Sequence, residues 1–429
     1  MRELPLEKED KITVVGAGRT GFACTRVLTE LNGEVFLSEQ GEMDREVRRF
    51  CRNEGVEFEE EGHSSRTLDS SLMVVSPGVP LDAPLVKRAL KEGIEVLSEV
   101  ELAYRLSPTE KLIGVTGTNG KTTTVELVNF ILKKSGRDPY LCGNVGRPFI
   151  DLIPELEEGD EVVIELSSYQ LEGTELFRPR VGVLLNLKED HLKRHGSMRA
   201  YREAKLKLFQ NQTKEDWALL GRELKGEGFQ LRGPRVVRFG PSDSPLPLKG
   251  HYAKNLAAAW LAANCLAEEE LEIELNREEL KPLLELPHRL EFVAEVEGVE
   301  FYDDSKGTNP SAAAAAIEYL GDRPLWILLG GRLKGGGYGE LSKEIEAHSN
   351  LQGVFLFGEG AEKLSSIFAE RDVDWEMEET MEKATENAFR QATPGEAVLL
   401  SPAGSSFDAY ADYKERGRRF QQLVEELAS

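Results

Sequence analysis

The stretch KLIGVTGTNGKTTTVELVNFILKK, residues 111–134, decides the fold. An apolar strand runs into Gly117-Thr118-Asn119-Gly120-Lys121-Thr122-Thr123, and the same loop opens a helix. That order is what a phosphate-binding loop requires. Glycines free backbone amides to face oxygen, Lys121 can reach β- and γ-phosphates, and a hydroxyl such as that of Thr122 can ligate Mg²⁺. The usual spacing, G-x-x-x-x-G-K-[ST], is not met, because position 115 is Val. The loop is a shortened variant, and its bland alternative is a chance Gly-Lys-Thr at a strand–helix turn.

Short apolar runs alternate with helical stretches on both sides of this loop. KITVVGAG, EVFLSE and SLMVVSPGV precede it, DEVVIEL and RVGVLLNL follow, and VEFYDDS, PLWILLGG, GVFLFGEG and EAVLLSPAG come later. Alternation of this kind predicts parallel sheets covered by helices. Polar or proline-rich breaks near Ser107-Pro108-Thr109 and Pro282–Pro287 divide the chain into three α/β domains in series. The expected domains are 1–107, Rossmann-like; 108–286, P-loop ATPase-like; and 287–429, Rossmann-like again.

Of 429 residues, 53 are Lys or Arg and 76 are Asp or Glu, a net charge of −23 that argues against nucleic-acid and anionic-membrane partners. No apolar run approaches the roughly 18–20 residues of a membrane span, and the charged start MRELPLEKED lacks a signal-peptide core. Cys24, Cys51, Cys142 and Cys265 have no metal or redox spacing, so buried thiols in a reducing cytosol are expected.

Five further features bear on chemistry. Gly16-Ala17-Gly18-Arg19-Thr20-Gly21 matches G-x-G-x-x-G, with Glu39 at the end of the next strand. It reads as a pyrophosphate site, for NAD or for a UDP group, or as a tight turn without ligand. Glu165 ends DEVVIEL at the edge where the phosphate loop opens, suited to Mg²⁺ or simply exposed. His191, in Lys188-Glu189-Asp190-His191, is a metal ligand or a surface residue. The glycine-rich stretch Gly330–Gly337 suits an anion or is a flexible loop. Asp303–Pro310 ends one strand and starts an alanine-rich helix; it reads as a site segment, as a helix N-cap at Asn309-Pro310-Ser311, or as both.

Taken in order from Gly16 to Phe420, these motifs resemble the Mur ligase family. The Gly-Thr-Asn-Gly-Lys-Thr loop marks the wider superfamily. Asp304–Asn309, Leu400–Asp408 and Arg416-Gly417-Arg418-Arg419-Phe420 point to its D-glutamate-adding branch, with Glu165–Glu172, Glu189-Asp190-His191 and Leu286-Pro287-His288-Arg289 also in pattern. The resemblance implies a bacterial, cytoplasmic, monomeric ATP-dependent amide ligase of peptidoglycan precursor synthesis, with UDP-N-acetylmuramoyl-L-alanine and D-glutamate as substrates. It implies Arg19, Thr20, Glu39 and Gln40 near uracil, and Asn144 and Gln170 at the muramoyl portion. Lys121 and its loop would hold ATP, and Glu165 and His191 two Mg²⁺ ions. Asn255, Arg289 and Asp304 would surround adenosine, with Lys306 near the phosphates. Thr308, Lys334, Ser406 and Tyr413 would hold D-glutamate. Two positions depart from the family pattern: Tyr252 where Asn is frequent, and Lys193 where Asp is common.

Lys205 lies in the predicted helix 197–211. At about 100° per residue, with Tyr201 at 0°, Lys205 falls at about 40°, inside a stripe of Met198, Leu208 and Phe209. It either snorkels or, desolvated, becomes an amine that reacts with CO₂ to give a carbamate. The family resemblance favours the carbamate, as a ligand for Mg²⁺ shared with His191. Three alternatives stay open. Another amino-acid ligase of the superfamily shares the motifs. An NAD-dependent oxidoreductase leaves the phosphate loop unexplained, and a silent nucleotide sensor runs against intact Lys121, Glu165 and His191.

Overall fold

A computed structural model describes residues 11–284 and 287–428. The charged N-terminal stretch and Leu286 of the Leu-Pro-His-Arg motif lie outside the described residues, as does the side chain of Lys193. The described residues form three sheets, each built on β-branched and leucine-rich strands that helices cover. The chain divides by proximity into two compact units. One comprises residues up to 187, 199–245 and 254–274; the other comprises 188–198, 246–253 and 275 onward.

The first unit holds two sheets. The strands β1 (Lys11–Val15), β2 (Glu34–Ser38), β3 (Glu57–Glu59), β4 (Leu72–Val75) and β5 (Glu95–Ser98) run parallel in the order β3-β2-β1-β4-β5. The second sheet has β6 (Lys111–Thr116), β7 (Tyr140–Gly143), β8 (Glu161–Glu165), β9 (Val181–Leu184), β10 (Trp217–Gly221) and β11 (Arg235–Phe239), also parallel, in the order β11-β10-β9-β6-β8-β7. The helix Glu99–Leu106 joins the two cores. Its Val100, Leu102 and Ala103 are buried in one apolar cluster with Phe149, Ile150 and Leu152. Burying each large side chain there contributes roughly 1.5–3 kcal/mol. Its Glu101 accepts the N–H groups of Glu175, Leu176 and Phe177 and pairs with Arg105 at 2.8 Å.

The second unit has one six-stranded sheet. Its strands are β12 (Glu291–Val296), β13 (Val299–Asp303), β14 (Leu325–Gly330), β15 (Leu351–Phe357), β16 (Trp375–Glu378) and β17 (Ala397–Leu400), ordered β12-β13-β17-β14-β15-β16. The edge strand β12 is antiparallel to β13, because a hairpin joins them; the other pairs are parallel. The expected helix 197–211 is shorter: an α-helix spans Met198–Leu206, and Lys207–Phe209 tightens into a 3₁₀ turn. All four cysteines are free, with Cys24, Cys51 and Cys142 buried. No helix among the described residues is long and apolar enough to cross a membrane.

Candidate active site

The phosphate loop follows β6 as expected. Its central strand is paired so that Val115 lies beside Glu165 of β8, and Glu165 lies beside Gly143 of β7. The loop, Glu165 and Asn144 therefore leave one edge of the sheet from adjacent strands, the edge at which parallel α/β sheets bind ligands. Gly120, at φ +89°, cannot carry a side chain: a Cβ there would stand 2.5 Å from Asn255 Oδ1. Asn255 is thus packed on the loop, and its buried Nδ2 has no hydrogen-bond partner among the described residues. Asn186 clamps the loop from the end of β9, accepting from Asn119 N–H and donating to Asn119 O, each at 2.9 Å.

Lys121 begins the helix Lys121–Lys134, and its Nζ donates to Gly117 O and Thr118 O at 3.0 Å. Thr122 is half-buried in the first turn and Thr123 is buried. Thr118 Oγ1 lies 3.2 Å from Tyr201 OH. Glu165 is only 2% exposed, contrary to the solvated alternative. Its Oε1 accepts from Asn144 Nδ2 at 2.9 Å, while the buried Oε2 has no hydrogen-bond partner among the described residues. An anionic oxygen buried without a donor is costly unless a cation meets it. Glu165 therefore fits a divalent ion.

Lys205 does not snorkel. It is 2% exposed, and its Nζ lies over the Tyr201 ring and donates to Gly117 O at 3.0 Å and Thr116 Oγ1 at 3.3 Å. The helical angle put this side chain on the apolar face, and its amine ends against the phosphate loop.

A cleft of about 810 Å³ opens in the same unit, lined by Arg19, Thr20, Glu39, Gln40, Asn144 and Gln170. All six residues expected at the UDP-bearing substrate thus share one cavity. Gly21 closes the loop beneath it, where a Cβ would lie 1.7 Å from Gly16 O. Val79, Pro80 and Leu85 supply an apolar wall. Arg19 Nη2 donates to Asn144 O at 3.0 Å. Gln170 Oε1 accepts from Ser167 N–H in a capping box at the helix Ser168–Glu172. Glu39 accepts from Ala17 N–H at 2.5 Å and Gly41 N–H at 2.9 Å. Burial would raise its pKa, but the donated N–H groups of Ala17, Gly41 and Gln40 outweigh it and hold the carboxyl below its usual range. This carboxylate is committed to its own glycine loop, which weakens the dinucleotide reading in which it grips a ribose.

In the second unit, loops after β13, β17 and β14, three adjacent strands, carry Asp304, Lys306, Thr308, Lys334 and Ser406, while Arg289 precedes β12 and Tyr413 begins the helix Tyr413–Leu427. Ala403 N–H donates to Gly307 O at 2.9 Å, and Arg332 and Ser405 exchange backbone bonds at 2.8 and 2.9 Å. These ties hold Asp304–Thr308, Gly331–Lys334 and Ser401–Ser406 together, and with them Thr308, Lys334 and the buried Ser406. Lys306 Nζ lies over the Tyr413 ring at 5.7 Å. Burial, with Arg416 adding, lowers the Lys334 pKa against the pull of Asp190. Asp304 donates nothing when ionised and accepts from Ser401 Oγ at 2.6 Å. Burial pushes its pKa up to about 7, against Ser401 and Arg289. Asn309 caps the helix Pro310–Leu320 through its Oδ1 and Ala312 N–H.

His191 belongs to this unit, is 39% exposed at its side chain, and sits 3.5 Å from Asp190 in a left-handed conformation, φ 54°. Tyr252 is buried against His251 and edge-on to Tyr319, 5.4 Å between centroids. Burial, with Arg289 adding, takes His251 down to about 3. Arg416, part of a quoted motif but given no role from sequence, is wholly buried. It donates to Ser305 Oγ, Ser305 O and Gly404 O at 2.9–3.0 Å, and burial lowers it to about 10. It and Asn186 hold loops from a distance, which local patterns do not signal.

Family models match three consecutive parts of the chain: a MurD N-terminal domain at residues 11–84, a Mur ligase middle domain at 115–263, and a Mur ligase, glutamate ligase domain at 288–404. A UDP-N-acetylmuramoylalanine–D-glutamate ligase of Salinibacter ruber is 38% identical over 461 residues, covering 98% of each chain. One of Geobacillus kaustophilus is 34% identical, covering 97% of this chain and 98% of its own. Among solved structures, a MurF ligase from Thermotoga maritima in complex with ADP aligns with a TM-score of 0.57 at 16% identity, over 92% of this chain and 95% of that one, a likeness of fold. On its motifs, its three sheets and these full-length relatives, the chain belongs to the Mur ligase family.

Proposed function

We propose that this ligase joins D-glutamate to UDP-N-acetylmuramoyl-L-alanine at the expense of ATP, acting as a cytoplasmic monomer in peptidoglycan precursor synthesis. The observation that carries the reading is Asn144. It lines the 810 Å³ cleft and also donates to Glu165 beside the phosphate loop. A substrate lying along the cleft thus reaches the edge where a nucleotide's phosphates would sit.

The alanyl carboxylate oxygen attacks the γ-phosphorus of ATP, ADP leaves, and an acyl phosphate forms. The D-glutamate amine then adds to the acyl carbon, loses a proton, and phosphate departs with the shared oxygen. Lys121 and the loop amides hold the ATP phosphates; Asn255, Arg289 and Asp304 are assigned to the adenosine and Lys306 to the phosphates. Glu165 with Thr122 would hold one Mg²⁺ and Lys205 as its carbamate would ligate another, ions which when bound neutralise charge on the transferring phosphoryl group; His191 is kept as a metal-ligand candidate. Thr308, Lys334, Ser406 and Tyr413 orient the amino acid. We divide the chain functionally at 1–107, 108–286 and 287–429.

The test uses substrate carrying ¹⁸O in the alanyl carboxylate. Label should appear in the released inorganic phosphate in an amount equal to the product formed. Unlabelled phosphate with full amide formation would refute the acyl-phosphate route.

A further inference from the structure

His63 lines the cleft of the first unit, and the reading above gives it no part. Its Nδ1 lies 2.7 Å from Ser38 Oγ, and that same hydroxyl lies 2.7 Å from Glu59 Oε1. A serine hydroxyl has one proton to give. Glu59 also accepts from Ser64 N–H at 2.9 Å. Although burial opposes it, the Ser64 and Ser38 donors hold its carboxyl below the usual range, so it is an anion and can only accept. Ser38 must therefore donate to Glu59, and its oxygen must accept from His63 Nδ1–H. In the neutral imidazole the second nitrogen, Nε2, then carries no proton and is an acceptor. Ser38 is fully buried, so the relay fixes both the tautomer and the ring's orientation.

We propose that His63 reads the nucleotide of the substrate, with Nε2 accepting a hydrogen bond from a proton donor on the uridine group, the imide N3–H or a ribose hydroxyl. The inference rests on the cleft being the UDP site. It predicts discrimination: a base or sugar lacking that donor faces a bare nitrogen lone pair, and the unmet acceptor lowers affinity by about tenfold.

The experiment measures binding of UDP, N3-methyl-UDP, 2′-deoxy-UDP, 3′-deoxy-UDP and CDP at pH 8 by calorimetry. The proteins are the wild type, His63→Ala and His63→Gln, each checked for an unchanged melting temperature. The wild type should bind UDP about tenfold more tightly than the analogue lacking the donor, and which analogue suffers identifies the donor. His63→Ala should lose about tenfold for UDP and bind that analogue and UDP alike. His63→Gln, whose amide oxygen can accept, should recover part of the preference. A wild type that binds UDP, with His63→Ala keeping the same affinity and the same ratio between analogues, overturns the proposal. ¹⁵N NMR of the free protein gives a second readout: a proton on Nε2 of the neutral ring, with Nδ1 bare, also overturns it. A wild type that binds no uridine nucleotide refutes the cleft assignment itself, and the proposal falls with it.

Discussion

Glu99 opens the helix that joins the two cores of the first unit, and it is wholly buried. Its Oε1 accepts from Ile150 N–H at 2.8 Å, and its Oε2 has no hydrogen-bond partner among the described residues. Burial pushes its carboxyl from an ordinary 4.5 up to about 7, with Asp151 adding, and against the N–H donors of Ile150 and Phe149 and the charge of Arg19. Between those two values the folded protein keeps a proton that the unfolded chain has released. Stability is therefore fully present below about 4.5 and is lost as pH rises toward 7, after which the loss is complete. At 1.36 kcal/mol per pK unit the whole loss is roughly 3 kcal/mol. Glu99→Gln keeps an oxygen for Ile150 N–H and cannot ionise. It should match the wild type near pH 4.5 and exceed it by up to about 3 kcal/mol at pH 8. Urea unfolding from pH 4.5 to 8.5 reads this directly. Asp304, also raised to about 7, is present in both proteins and cancels in their difference. A pH-independent difference, or a variant less stable than wild type at pH 8, would refute the reasoning.

Three further outcomes follow from the site. Lys121→Ala should lower turnover by at least about 10²–10³-fold with an unchanged melting temperature; near-normal turnover in a folded variant would remove the loop from the mechanism. Lys205→Ala should be nearly inactive and partly rescued by a short carboxylic acid that supplies the missing carboxylate; substantial activity without the acid would defeat the carbamate. UDP should raise the melting temperature and NAD at equal concentration should not; the reverse would revive the oxidoreductase reading.

Much of this site is legible from short patterns because the physics is local. A loop that must turn amides toward phosphate needs glycine at Gly120, where even a methyl group would strike Asn255. Helical spacing alone put Lys205 on the buried face. What escaped depends on partners far along the chain. Asn186 reaches back 67 residues to the phosphate loop, Arg416 reaches 111 residues to Ser305, and His63 matters only through Ser38 and Glu59. Glu39 was legible as a cleft residue but not as a carboxylate bound to Ala17 N–H. Three sheets could be read from alternating runs. That two of them share one apolar core could not, because it rests on Val100 and Leu102 meeting Phe149 and Ile150 across a domain boundary.

The most direct test of the central claim is phosphate release with ATP, Mg²⁺ and UDP-N-acetylmuramoyl-L-alanine, over a panel of D- and L-amino acids, with each amide product confirmed by mass spectrometry. D-Glutamate should be the best acceptor, with little release when it is omitted. A wide margin in favour of any other amino acid would contradict the assignment.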